Sequence, residues 1–115
     1  WHIGICPLDH TPYNRVKTNT KWVEYTMAGV AVIASADMAY DECCADDCGV
    51  LVEDPGGWLA ALRELSSSEE ERFRIASNAQ RKLVELYSPE KLRSQVLSTF
   101  DLARVLYEEA KSRAA

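Results

Sequence analysis

The sequence predicts an α/β domain, a Rossmann-like parallel sheet followed by C-terminal helices. Three observations carry this prediction. The runs His2 to Leu8, Val30 to Ala34 and Gly49 to Val52 are apolar without a regular polar alternation, the pattern of strands covered on both faces. The first two are separated by a loop and a short helical segment, and such crossovers make neighbouring strands parallel. Helix-period patterns then fill the chain from Trp58 onward. Three strands with a large helical share fit the second half of a Rossmann-like domain and its terminal helices.

The opening run HIGICPL closes at Pro7, which suits the carboxyl edge of a strand. Residues 9–17 (DHTPYNRVK) form a polar loop with Pro12 and Asn14 as turn residues. A loop leaving the carboxyl end of a parallel strand is the usual place for a ligand site. A short helix is expected from Lys21 to Ala28, with Thr18 or Asn19 capping its start and Gly29 at its left-handed end. Trp22, Val23, Tyr25, Thr26 and Met27 predict that this helix is mostly buried. Glu24 lies among them, and a carboxylate there needs a partner or a ligand. The alternative is an exposed Glu24 paired with Lys17 or Lys21. Arg15, Lys17 and Lys21 meet the helix start, a combination that suits an anion such as a diphosphate.

Residues 35–48 (SADMAYDECCADDC) read as a solvated acidic loop or short helical turn. They lack the spacing and central glycine of a calcium loop. Glu53 to Gly57 reads as a turn, and Trp58 to Leu65 as an amphipathic helix offering Trp58, Leu59, Leu62 and Leu65 to the core. Ser66 to Ser68 should break it, with Ser68 and Glu71 forming a capping box for the next helix. That helix is expected over Glu69 to Tyr87, with Phe73, Ile75, Ala76, Ala79, Leu83 and Leu86 on its apolar face. Pro89 suits the first turn of a last helix reaching about Arg113. Residues 1–65 thus form the strand-and-helix core and 66–115 the helical tail of a single partial domain.

With 115 residues, 47% hydrophobic and 27% charged, the composition is that of one ordinary globular domain. The net charge of −5 argues against nucleic-acid binding driven by bulk charge. No apolar run approaches a membrane span of roughly 20 residues. The chain opens on Trp1 without Met or a basic leader, so it is expected to be part of a longer polypeptide. Of the four cysteines, Cys6 lies in a strand and Cys43, Cys44 and Cys48 cluster in the acidic loop. They read as structural thiols, with a loop disulfide or a metal as alternatives. Their spacing lacks the paired pattern of a zinc site, and the usage fits a reducing cytosol.

The segments HIGICPL, NRVKTNTKWVEYTMAGVAVIAS and GVLVEDPGGWLAALREL resemble the C-terminal, nucleotide-sugar-binding domain of GT-B-fold glycosyltransferases of the group 1 / family 4 type. Lys-Thr-Asn-x-Lys-Trp-x-Glu-Tyr before Ala-Gly-Val-x-Val-Ile-Ala-Ser is similar to a bacterial subgroup. The resemblance covers nearly the whole chain and about the last third of such an enzyme. It implies glycosyl transfer from a nucleotide-diphosphate sugar, with no further cofactor and no metal. It implies that Glu24 contacts the ribose. The donor-binding set becomes Glu24, Lys17, Arg15, Asn19, Thr18 and Thr20, with Lys17 and the amides of residues 18–20 at the diphosphate. The family's first glutamate, the sugar contact, would fall at Val16, and the sequence departs from the pattern there.

An acceptor-binding domain would precede Trp1, and the isolated chain is expected to have little or no transferase activity. The implied setting is bacterial polysaccharide biosynthesis in the cytoplasm, with the full-length protein peripheral to the inner membrane. The edges of a truncated sheet predict self-association. Two other readings are a non-catalytic Rossmann-like nucleotide-binding or regulatory module, favoured by Val16, and a thiol or metal module around Cys43, Cys44 and Cys48.

Overall fold

The computed structural model describes residues 2–114. Among them the order is β1 (Ile3–Cys6), a 3-10 turn (Asn14–Val16), α1 (Thr20–Met27), β2 (Ala31–Ser35), α2 (Asp41–Cys44), β3 (Val50–Val52), α3 (Pro55–Ser67), α4 (Glu69–Tyr87) and α5 (Pro89–Ala114). The described strands form one parallel sheet in the order β1-β2-β3. Ile3 lies opposite Ala31 and Cys6 opposite Ala34, while Ile33 lies opposite Val50 and Ser35 opposite Val52. The chain is therefore an α/β protein with a small open sheet.

Central β2 explains its own sequence. All five of its residues are buried, and successive side chains point to opposite faces of a sheet. Val32 and Ala34 join Cys6, Trp22, Tyr40, Cys43, Cys44, Cys48 and Ala79 in one apolar cluster. Ala31 and Ile33 join Val52, Ala61, Leu65 and Ile75 in the other. Helices α1 and α2 thus cover one face and α3 the other, while α4 contributes Ala79 to the first cluster and Ile75 to the second. A strand buried on both sides has no polar side to alternate with, hence Ala-Val-Ile-Ala.

Helix α1 ends as its sequence requires. Gly29 takes φ +71°, its N–H donates to the Thr26 carbonyl at 3.0 Å, and the Val30 N–H donates to the Tyr25 carbonyl at 3.0 Å. These two bonds make a Schellman close, which favours glycine at the left-handed position. The expectation that α1 is mostly buried is corrected. Trp22 and Thr26, one turn apart, are its buried residues, whereas Met27 is 71% exposed. Val23 and Tyr25 are half-buried against the same cluster as Trp22, so α1 turns one face inward and leaves Met27 outside it.

Further expectations need correction in the helices that follow. Residues 53–57 are not a turn preceding a helix at Trp58, because α3 already begins at Pro55. Asp54 caps it by accepting from the Gly57 N–H at 2.8 Å, and Pro55 occupies the first turn, where its missing N–H is no loss. The helix ends at Ser67 with Ser68 extended at its C-cap, inside the Ser66–Ser68 run expected to break it. Its core side is Ala61 and Leu65, and Leu59 and Leu62 are exposed. Likewise Phe73 of α4 is exposed while Ile75, Ala76 and Ala79 are buried. The Ser68 hydroxyl accepts from the Glu71 N–H at 3.1 Å, as half of a capping box. Glu71 spends its carboxylate on Arg74.

The chain forms two compact units, Trp1–Leu83 and Val84–Ala115. The division placed at 65/66 from the sequence falls inside the first unit. The second consists of the end of α4 and α5, whose described side chains include none that is buried. No described helix is long and apolar enough to cross a membrane.

Candidate functional site

The polar loop after β1 reaches the carboxyl ends of β1 and β2, where ligands of open α/β sheets bind. Ser35, the last residue of β2, is buried, and its hydroxyl accepts from the Leu8 N–H at 2.8 Å. That bond holds the start of the loop over the end of the neighbouring strand. Further along, Asn14 donates from its side-chain amide to the Asp9 carbonyl at 2.9 Å. Its own N–H donates to the Thr11 hydroxyl at 3.2 Å. The Lys17 N–H closes the 3-10 turn on the Asn14 carbonyl at 3.3 Å. The loop is thus shaped by its own polar groups.

Arg15, Lys17, Thr18 and Thr20 are all exposed. Lys17 extends its ammonium over the Tyr13 ring, 5.1 Å from the centroid, within cation–π range. The hydroxyls of Thr18 and Thr20 are 2.7 Å apart. Helix α1 starts at Thr20, and the N–H groups of a first helical turn have no acceptor inside the helix. A basic loop therefore runs directly into a set of free N–H donors, an arrangement that attracts anions.

Asn19 takes the cap position of α1, but its side chain makes no capping bond. It hydrogen-bonds the Cys43 thiol instead. That contact corrects the expected capping role and joins the loop to the thiol cluster beneath it. Bonding from Cys44, together with Asn19, holds the Cys43 thiol below its ordinary range. The same pairing with Cys43, reinforced by burial, pushes Cys44 up. Burial raises Cys6 to about 11 and Tyr40 to about 12, and the two side chains hydrogen-bond each other. All four cysteines are buried free thiols. Among the described residues no group of three or more His, Cys, Asp or Glu side chains is placed to hold a metal ion.

Glu24 is exposed, which corrects the picture of a carboxylate enclosed by large apolar side chains. Its neighbours Trp22 and Thr26 turn inward, and a helix places residue 24 away from that stripe. No ion pair engages it among the described residues, so neither Lys17 nor Lys21 neutralises it. Val16 is also exposed, at 79%.

Arg15 lines an open pocket of about 380 Å³ with Asp37, Met38, Ala39 and Asp41. The structure thus brings Arg15 together with the β2–α2 loop, and neither Lys17 nor Glu24 lines that pocket. The acidic side chains Asp37, Glu42, Asp46 and Asp47 are exposed and residues 41–44 form the short helical turn, while Asp41 is half-buried. One carboxylate oxygen of Asp41 is buried without a hydrogen-bond partner. Asp37 holds φ +57°, a region that non-glycine residues seldom occupy. Asp46 and Asp47, farther along, are tied to α4. Asp47 pairs with Arg74 at 2.9 Å, and Asp46 with Lys82 at 3.3 Å. Lys82 also donates to the carbonyls of Glu42 and Ala45 at 2.8 and 3.0 Å, fixing the end of α2. Asp37 and Asp41 went unrecognised because they sit in a run of acids. Their one distinguishing signal is position, immediately past the carboxyl end of a fully buried strand.

No family model matches this chain, and no curated protein matches it.

Proposed function

We propose that this chain binds the nucleoside-diphosphate end of a nucleotide-sugar, as the Rossmann-like donor-binding part of a GT-B glycosyltransferase. The observation that carries the reading is the exposed Arg15–Thr20 loop running into the free N–H groups of α1 at the carboxyl edge of the sheet. Arg15 and Lys17 supply positive charge, and the Thr18 and Thr20 hydroxyls and the first-turn amides supply donors. In the proposed reaction the bond from the anomeric carbon to the diphosphate oxygen breaks, and its electron pair leaves with the diphosphate. A bond forms to an acceptor hydroxyl oxygen, which loses its proton to solvent or to a base. The developing negative charge is stabilised by these fixed donors, and such preorganised stabilisation lowers the barrier.

Glu24, exposed and without an ion-pair partner, accepts from the ribose hydroxyls in this reading. An acceptor-binding domain completes the enzyme. Calorimetric titration with UDP and GDP tests the assignment. Replacing Glu24 by Ala is expected to weaken binding about tenfold, as for loss of a hydrogen bond to a charged group. Unchanged affinity removes the ribose role. The reading as a non-catalytic nucleotide-binding module is favoured by Val16, exposed and unable to contact a sugar hydroxyl. Transfer by the protein joined to its acceptor domain would exclude that second reading.

A further inference from the structure

We infer that α5 is a docking face for a second copy of this chain, the two helices pairing antiparallel about a two-fold axis between residues 101 and 102. The inference does not rest on the nucleotide-sugar reading. It assigns self-association to a helix face rather than to the sheet edges expected from the sequence. The 26 residues of α5 span about 39 Å, and none of its described side chains is buried. Leu92, Val96, Leu97, Phe100, Leu106 and Tyr107 are all exposed, Phe100 at 70%. A helix gains most of its stability from packing an apolar face, and a contiguous exposed apolar patch marks an interaction surface.

The order of residues fits a two-stranded seam. Arg93, Val96, Phe100, Ala103, Tyr107 and Ala110 recur at alternating steps of three and four, the period of a paired helix. Leu92 and Leu106 flank this seam on one side and Leu97 on the other. The remaining positions of the helix are polar, Leu102 and Val105 excepted. Among the described residues neither Glu90 nor Lys111, at the two ends of α5, takes part in an ion pair.

Size and charge fix the occupant and its direction. With the helices antiparallel, Phe100 meets Ala103 of the second copy, Tyr107 meets Val96, and Arg93 meets Ala110. Large residues thus face small ones, as interdigitated layers require. In the same register Glu90 lies across the seam from Lys111 of the second copy, and the two-fold makes that ion pair twice. A parallel pair would set Arg93 against Arg93, Phe100 against Phe100 and Ala103 against Ala103, and would give Glu90 no cation across the seam. The face therefore complements itself in one direction.

Equilibrium sedimentation of the full chain over about 1–100 µM, a span of ordinary weak to moderate affinities, should show the 12.9 kDa monomer converting to a species of twice that mass. Phe100→Glu should weaken the dimer at least about 100-fold, and far-UV circular dichroism checks that this variant folds. Glu90→Lys and Lys111→Glu should each weaken it about 3- to 30-fold at low salt. Combining the two should restore affinity to within about threefold of wild type. Zero-length carbodiimide cross-linking should join Glu90 to Lys111, residues about 32 Å apart along one helix and hence within reach only between copies. A monomer throughout would overturn the inference and leave the face to another partner. A dimer that Phe100→Glu leaves intact would overturn it in favour of the sheet edges. A double charge reversal no tighter than either single one, or a dimer without the Glu90–Lys111 cross-link, would also overturn it. None of these outcomes bears on nucleotide binding.

Discussion

Trp22 is the residue through which the candidate site is held to the sheet, and replacing it by Phe measures that anchoring. Its side chain is fully buried, and the indole N–H donates to the Cys48 carbonyl at 3.0 Å. This bond ties α1, and with it the basic loop, to the segment entering β3. Phenylalanine keeps an aromatic ring but removes the donor and part of the ring volume. An orphaned buried carbonyl costs about 1–3 kcal/mol. The two lost ring carbons forgo roughly 1–2 kcal/mol of burial, and incomplete collapse of the cavity adds to this. A total of about 2–4 kcal/mol is expected from these terms. Urea unfolding followed by far-UV circular dichroism reads it as a fall in midpoint of about 1–3 M, for a slope typical of small domains. Met27→Ala, on the exposed side of the same helix, serves as control and should stay within about 0.5 kcal/mol. A Trp22→Phe loss no larger than the Met27→Ala loss would refute this account of how α1 is held.

Gly4→Ala should destabilise by about 1–3 kcal/mol through overpacking, because an added Cβ would lie 2.6 Å from two Tyr25 ring atoms; an unchanged urea midpoint would mean that the ring moves aside freely. Alkaline pH should destabilise the chain through Cys6 and Tyr40. Burial raises these groups to about 11 and about 12 in the folded state, from ordinary values of 9.0 and 10.0, so the folded state holds its protons longer than the unfolded one. Their contribution is complete below about pH 9 and is lost as pH rises through about 11, on the order of 2 kcal/mol for Cys6. Urea midpoints between pH 8 and 11 check this, with Cys6→Ala expected to flatten the slope; a flat wild-type profile would contradict it.

The fold class was legible because β2 and the end of α1 state their environment in residue type. A run of Ala, Val and Ile with no polar member has no exposed side, and Gly29 marks a left-handed position. The boundaries of α4 were legible from Ser68 before it and Pro89 after it. Pro55-Gly56-Gly57 misled, since two glycines suggest a turn, yet the Asp54 cap and Pro55 begin a helix through them. Leu59, Leu62 and Phe73 misled because helical period does not say which of two faces meets the sheet, and in α3 the small Ala61 took an inward place. Within the site, the basic loop was legible as charge before a helix start. The Asn19–Cys43 contact and the meeting of Arg15 with Asp37 and Asp41 were not. Both join segments brought together by parallel strand pairing, which local spacing does not encode.

The central claim is that the loop from Arg15 to Thr20 and the first turn of α1 hold a diphosphate. Backbone amide chemical shifts followed by NMR during titration with UDP and with GDP test it most directly. The account predicts the largest saturable changes at the amides of residues 15–24. Absence of saturable changes with either nucleotide, or changes centred on the opposite pocket at His2, Arg72 and Phe73, would contradict it.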